Sequence, residues 1–284
     1  MKTIIACTDF SHNATNAVQY AAALARATEA RLVLFHYFDY PLPATDLPMS
    51  FPTVFVDELA EGLTKKLKEI QEDLAKIYPI KIDCVVRSYE LASDLKAVYE
   101  AENASLVVMG MHGQSAVANA LFGSVSTSAI RQGKLPLLIV PMGVVFHPVK
   151  KILFPFDDHP ISYPETIKVL RDLALDFDAY IEVFTMFDLQ KTPNLVPKGD
   201  FSVEKSNLET MLSGTRHGFS YENEVSVNQG ILYEAARSGA DMVAMIPHHH
   251  SFLSNLLNLS KTQRIAVSIT LPLLVLAEKI KTTG

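Results

Sequence analysis

The sequence lacks most of what would tie a protein to an oxidising compartment, a membrane or a nucleic acid. Only two of its 284 residues are cysteines, Cys7 and Cys84, and they lack the spacing of a disulfide or metal framework. No apolar run approaches the roughly 20 residues that span a bilayer. The net charge of −6 argues against nucleic acid and anionic membranes as main partners. We therefore expect a soluble, cytoplasmic protein that binds neither.

Signatures of catalysis and of metal binding are missing as well. The sequence contains no Ser-His-Asp order, no CxxC motif, no Walker Gly-Lys-Ser/Thr and no GxGxxG. His112 could act as a general base, but no carboxylate lies near it in the sequence. The adjacent histidines His248–His250 favour a solvated loop over a metal site or a phosphate contact, because neighbours in an extended run point different ways. We predict neither catalytic residues nor a metal site.

What the sequence does contain is one unit repeated twice. Three pairs of segments carry the match: 2–11 with 150–159, 31–39 with 180–188, and 104–140 with 240–276. A repeat of this length indicates two copies of one fold. We place the first domain at residues 1–143 and the second at residues 149–284.

Each copy alternates strand-like and helix-like segments. The run KTIIACTD is almost continuously apolar, which is typical of a strand buried on both faces of a parallel sheet. The segment from Val56 to Ile77 places leucines at helical spacing and predicts a long amphipathic helix. The pattern predicts an α/β fold with two tandem doubly wound, Rossmann-like domains, each with a five-stranded parallel sheet. Right-handed crossovers place the carboxyl ends of the strands at one edge, where such folds bind ligands.

Glycines distinguish the two copies at that edge. Gly110, Gly113 and Gly123 in the first copy are replaced by Ile, His and Leu in the second, although the flanking residues match closely. Glycine permits a ligand to approach the backbone, and a helix N-terminus favours phosphate. Ser124 and Ser126 could donate further hydrogen bonds. The pattern favours a phosphate site in the first copy, with simple turns as the alternative reading of the glycines.

The stretch VVMGMHG, followed after nine residues by GSVS, resembles the universal stress protein family, and the whole chain resembles its tandem, two-domain members. In ATP-binding members a Gly-x2-Gly-x9-Gly-Ser/Thr signature holds the phosphates. The first-strand aspartate lies near the adenosine, and the end of the second strand touches the adenine. The resemblance implies a nucleotide site at Asp9, Tyr37, Met109, Gly110, Gly113, Gly123, Ser124, Val125 and Ser126.

The resemblance also implies how the two copies are joined. The last strands of two units pair in this family, here Leu137–Val140 with Leu273–Leu276, which would make the chain an intramolecular pseudo-dimer that could pair again into a homodimer. The second domain carries a degenerate motif, because bulky residues at the glycine positions would crowd a phosphate. We expect it to serve packing, partner binding or another ligand.

From this resemblance we expect a stress-response protein whose first domain binds ATP, or else AMP or ADP, with Mg²⁺ as an accompanying ion. It would act as a non-catalytic regulator through protein partners. A ligand-free scaffold is one alternative, supported by Tyr37, which stands where the family has a small aliphatic residue. A slow ATPase or an ATP-dependent transferase is another, for which Asp9 is the only obvious carboxylate in the first copy.

Overall fold

A computed structural model describes residues 1–38, 53–88, 91–111, 134–156, 160–187, 203–223, 227–247 and 270–277. The first half contains β1 (Thr3–Cys7), α1 (His12–Ala27), β2 (Arg31–Phe38), α2 (Thr53–Ile77), β3 (Ile82–Ser88), α3 (Leu91–Ala101), β4 (Leu106–Met111) and β5 (Leu137–Pro141). The second half contains β6 (Lys151–Pro155), a 3₁₀ turn (Pro164–Ile167) leading into α4 (Lys168–Phe177), β7 (Tyr180–Phe187), α5 (Val203–Met211), β8 (Arg216–Asn223), α6 (Val227–Ser238), β9 (Met242–Met245) and β10 (Leu273–Val275).

The ten strands form one sheet in the order β3-β2-β1-β4-β5-β10-β9-β6-β7-β8. Neighbouring strands within each half are parallel, and the two halves meet where β5 and β10 pair antiparallel, with Leu138 opposite Leu274. Each half therefore has the same doubly wound order of five strands. The predicted fold class is confirmed, and so is the predicted pairing of the last strands.

The strands and helices form where the apolar pattern places them. Ile4, Ile5 and Ala6 of β1 are fully buried, because the strand has neighbours on both sides and helices on both faces. Ser11 caps α1 by accepting a hydrogen bond from the backbone N–H of Ala14 at 3.2 Å. Small alanines line the buried face of α1 and let it lie close to the sheet. In the part of the chain that the structure describes, no helix is long and apolar enough to cross a membrane.

The connection between the halves is packed against both of them. The ring of Phe146 lies 5.3 Å from that of Tyr20 on α1 and 6.0 Å from that of Phe177 on α4. The side-chain amide of Asn16 donates to the carbonyl oxygens of Pro141 and Val144, both at 3.2 Å. One hydrophobic cluster contains residues of α1 and β1 in the first half and of β6 and α4 in the second half. The two halves thus share a core on this face of the sheet.

Candidate functional site

The candidate site lies where the strand order of the first half reverses. β1 pairs with β2 on one side and with β4 on the other, so the chain leaves β1 in one direction and returns on its opposite side. The carboxyl ends of strands at such a switch point form the usual ligand crevice of a doubly wound sheet. The register brings Asp9, Tyr37 and Gly110 to this edge, since Cys7 pairs with Phe35 and Ala6 with Val108.

The turn between β1 and α1 holds Asp9 in a defined conformation. One carboxylate oxygen of Asp9 accepts a hydrogen bond from the backbone N–H of Ser11 at 2.9 Å. The hydroxyl oxygen of Thr8 accepts another from the backbone N–H of Phe10 at 3.0 Å. Phe10 has a φ of +65°, in the left-handed region that residues with a side chain rarely adopt. The result is an exposed aspartate directly before the positive end of α1.

A buried histidine supports this turn from β2. His36 is only 7% exposed, and its Nδ1 donates to the carbonyl oxygen of Thr8 at 2.7 Å. Its ring lies 4.4 Å from the ring of Phe10, and the ammonium group of Lys66 lies 5.6 Å from the same ring on the α2 side. Burial lowers the pKa of His36, and the charge of Lys66 acts in the same direction. The ring is therefore neutral near pH 7.

Sequence reasoning did not identify His36 as a functional residue, although a signal for it was present. In RLVLFHYF the side chains of Leu32, Leu34 and His36 share one face of the strand, and the first two are fully buried. A histidine at the next position on a buried face needs a hydrogen-bond partner. The pattern could have predicted a buried, bonded histidine at the end of β2.

Gly110 has a packing reason of its own. A side chain at this position would place its Cβ 2.5 Å from the carbonyl oxygen and 2.8 Å from the carbonyl carbon of Asn13 in the first turn of α1. β4 and α1 approach so closely that only glycine fits between them. This contact explains Gly110 without a ligand, and the interpretation of Gly110 as part of a phosphate site stays a prediction.

The second half tolerates Ile246 in the matching position because its first helix begins later. The residue that matches Asn13 is Ile161, which is not helical, and the 3₁₀ turn before α4 starts only at Pro164. Ile246 is buried in the cluster against which Ile161 also packs. The difference between Gly110 and Ile246 thus follows from the position of a helix.

Of the other predicted site residues, the structure describes Met109 and Tyr37 but not the rest. Met109 lies at the edge, but its side chain is buried in the core on the α3 face, so only its backbone is available to a ligand. Tyr37 is partly buried and packs against the same cluster. The remaining ones, together with the candidate histidines, lie outside the described residues: Gly113, Gly123, Ser124, Val125 and Ser126, His112 and His248–His250.

Acidic and histidine side chains do not gather into a metal centre within the described ranges. There, no group of three or more His, Cys, Asp or Glu residues is arranged so that it could hold an ion. The carboxylate of Asp9 is the acidic group that the sequence and the fold place at the switch point. It accepts a hydrogen bond from the backbone N–H of Ser11 and interacts electrostatically with His36.

Comparison with known proteins identifies the family. The model of the "Universal stress protein family" matches residues 1–141. A universal stress protein of Thermus aquaticus is 30% identical over 139 residues, which cover 49% of this chain and 98% of that protein. The chain belongs to the universal stress protein family. A universal stress protein of Methanocaldococcus jannaschii is 25% identical over 153 residues and is covered to 94%.

The fold similarity extends over both halves. The crystal structure of a universal stress protein from Archaeoglobus fulgidus has a TM-score of 0.68 to this chain, and the alignment covers 98% of each chain. The identity is 17%, so this similarity concerns the fold alone. The fold of the whole chain is therefore similar to that of this solved structure.

Proposed function

We propose that the first half of this universal stress protein binds an adenine nucleotide, with ATP as the first candidate, and that it acts as a non-catalytic regulator. The observation that carries the proposal is the exposed Asp9 at the switch point, held by Ser11 and supported from below by His36. A carboxylate with a fixed orientation suits the hydroxyl groups of a ribose, which donate hydrogen bonds to it. Membership of the family makes an adenine nucleotide the natural ligand to test.

The other residues of the edge would complete the site. Tyr37, on the strand next to Asp9, offers an aromatic surface on which an adenine ring could stack. Gly113 and Gly123 with Ser124 would face the phosphates, as the resemblance implies. Bound nucleotide would then favour one conformation of this edge, and protein partners would read that conformation, provided that the nucleotide binds one state better than another.

The regulatory role is preferred to turnover because hydrolysis needs two functions at the phosphates. One group must orient the attacking water and another must hold Mg²⁺. Asp9 could supply one of them, but one of its oxygens is already bonded to the N–H of Ser11. Phosphate release that persists through rigorous purification and is lost in Asp9→Asn would favour an ATPase instead.

A ligand-free scaffold is the second candidate, and Gly110 favours it. Its contact with Asn13 explains one of the three glycines that distinguish the copies without any ligand. In a scaffold of this kind, Gly113 and Gly123 would be turn residues as well. The two candidates differ in one measurable quantity, the nucleotide bound per chain.

The deciding experiment is to denature freshly purified protein and to quantify released nucleotide by chromatography, followed by titration calorimetry with ATP. We expect up to one nucleotide per chain, and an affinity that falls about tenfold in Asp9→Asn, because the ribose hydroxyls would then donate to a neutral amide oxygen instead of a charged carboxylate. The matched control is Asp157→Asn, which changes the aligned aspartate of the second half. No binding by calorimetry or chromatography would establish the scaffold.

A further inference from the structure

His36 is a buried polar side chain at this edge that is not among the residues proposed to contact the nucleotide. Leu32 and Leu34, on the same face of β2 as His36, are fully buried in the cluster that contains residues of α1 and α2. The counterpart of His36 in the second half is Thr185, and the counterpart of Phe10 is Asp158. The pair of a histidine and an aromatic ring is therefore specific to the half that carries the glycine motif.

The contacts of His36 converge on the turn that carries Asp9. Its Nδ1–H group bonds to the carbonyl oxygen of Thr8, directly before Asp9, at 2.7 Å. Its ring stacks at 4.4 Å and 39° on Phe10, directly after Asp9. Both neighbours of the aspartate are thus held by one side chain from the adjacent strand.

Phe10 needs such support because its backbone is strained. A φ of +65° is unfavourable for a residue with a side chain, and it persists only where the surroundings impose it. Here the ring of Phe10 lies 4.4 Å from the ring of His36 and 5.6 Å from the ammonium group of Lys66. If this packing is lost, Phe10 relaxes toward ordinary dihedral angles, and the relaxation rotates the peptide groups on both sides of Asp9.

We propose that His36 is a positioning residue for Asp9, and that protonation of its ring loosens the turn from Thr8 to Ser11 and weakens nucleotide binding. The proposal rests on the proposed function, since it names a control of the same site. The role is distinct from ligand contact, because His36 acts through Thr8 and Phe10.

Burial and the groups around the ring together determine how readily His36 is protonated. Among the described residues, Asp9 faces it from the turn and favours the charged ring, whereas Lys66 on α2 disfavours it. Arg87 of the neighbouring strand pairs with Tyr37 and so lies on the opposite face of the sheet. The bond from Nδ1–H to the Thr8 carbonyl oxygen also favours the charged ring, but burial is the largest influence, and the pKa of His36 is lowered in the intact turn.

Linkage then gives the pH window. A released, solvated ring has an ordinary pKa of about 6.5, and the ring in the intact turn has a lower one. Acid therefore favours the released state, and the effect grows as the pH falls from about 6.5 through the lowered value and then levels off. Nucleotide affinity should fall in the same window, by up to about tenfold for each pH unit between the two values.

The test compares ATP affinity by calorimetry between pH 5 and 8 in the wild type, His36→Asn and His36→Leu. In the first variant, the side-chain amide of the asparagine would stand near the place of Nδ1 and could still donate to Thr8, but it does not titrate. We expect His36→Asn to bind more weakly than the wild type above pH 7, because it lacks the ring that packs against Phe10, and to lose the additional weakening in acid. The pH dependence of ATP affinity that remains in His36→Asn then comes from other groups, such as the phosphates or Asp9. His36→Leu should bind more weakly at every pH, with an unchanged circular-dichroism spectrum.

A second measurement does not need the nucleotide. In ligand-free protein, the NMR signals of the Phe10 and Ser11 amides should shift with the same midpoint as the His36 ring, and should stay constant over that range in His36→Asn. The proposal is overturned if the chemical shifts of the Phe10 and Ser11 amides do not change as His36 titrates. It is also overturned if ATP affinity has the same pH profile in the wild type and in His36→Asn. In that case ATP binding itself would still support the proposed function. If neither the wild type nor any variant binds ATP above pH 7, both the proposed function and the proposed role of His36 are overturned.

Discussion

Replacing Gly110 by alanine would place a methyl group against the backbone of α1. The new Cβ would lie 2.5 Å from the Asn13 carbonyl oxygen and 3.2 Å from the backbone nitrogen of Ala14. Backbone atoms inside a helix cannot rotate away as the end of a side chain can. β4 and α1 must therefore separate by roughly 1 Å before their atoms reach ordinary contact distances.

The magnitude follows from two opposing effects. Overpacking of a tight contact costs about 1–3 kcal/mol. Alanine in place of glycine recovers about 0.4–1 kcal/mol by restricting the unfolded chain. We expect Gly110→Ala to lower the free energy of unfolding by about 1–2 kcal/mol, and the midpoint of thermal unfolding by roughly 2–8 °C.

Gly62 provides a matched control within the same half. It lies inside α2, is exposed, and has nothing within 4 Å of the place where a Cβ would stand. The same substitution there should raise the free energy of unfolding by about 0.5–1 kcal/mol, since glycine disfavours a helix interior. Urea unfolding followed by circular dichroism measures both variants. If both shift in the same direction, the close approach of β4 to α1 is not the reason for Gly110.

Three further substitutions test other parts of the structure. Gly113→Val should abolish ATP binding in calorimetry while the circular-dichroism spectrum stays unchanged; a collapsed spectrum would make Gly113 a purely structural turn residue. Ser11→Ala removes the cap of α1 and should cost about 1 kcal/mol in urea unfolding; an unchanged midpoint would refute the role of the cap. Burial works to raise the pKa of Glu182, but the ammonium group of Lys151, 2.8 Å away, leads the influences that outweigh burial and lower the pKa. Stability contributed by Glu182 should thus be present above its ordinary pKa and lost as the pH falls through the lowered value. Glu182→Gln should show a smaller loss of stability between about pH 5 and 3 than the wild type does.

Much of the fold could be predicted because its signals are local. Apolar runs such as Ile4–Ala6 and the leucine spacing of α2 each fall within one element, and these elements form as predicted. The pairing of the last strands of the two halves came from the resemblance. Periodicity alone could not have predicted the pairing, because it depends on how two distant segments meet.

The role of Gly110 could not be predicted, because it depends on a distance between elements that are far apart in the sequence. The comparison with the second copy considered only the residues around the glycines, and it did not consider where the first helix of each half begins. The prolines Pro160 and Pro164 in the second copy indicate a later start, because proline favours the first turn of a helix and not its interior. The helix there does begin later.

The difference between the two halves is therefore not confined to the glycine motif. In the first half, the contact of Gly110 with Asn13 brings α1 close to β4, while His36 and Phe10 hold the turn that leads into α1. Both sets of contacts act on the same few residues, and both are replaced in the second half. Together they act on the turn that carries Asp9 and leads into the N-terminus of α1. Packing is enough to explain Gly110, whereas the strained turn with its exposed carboxylate is the feature that supports our proposal of a bound nucleotide.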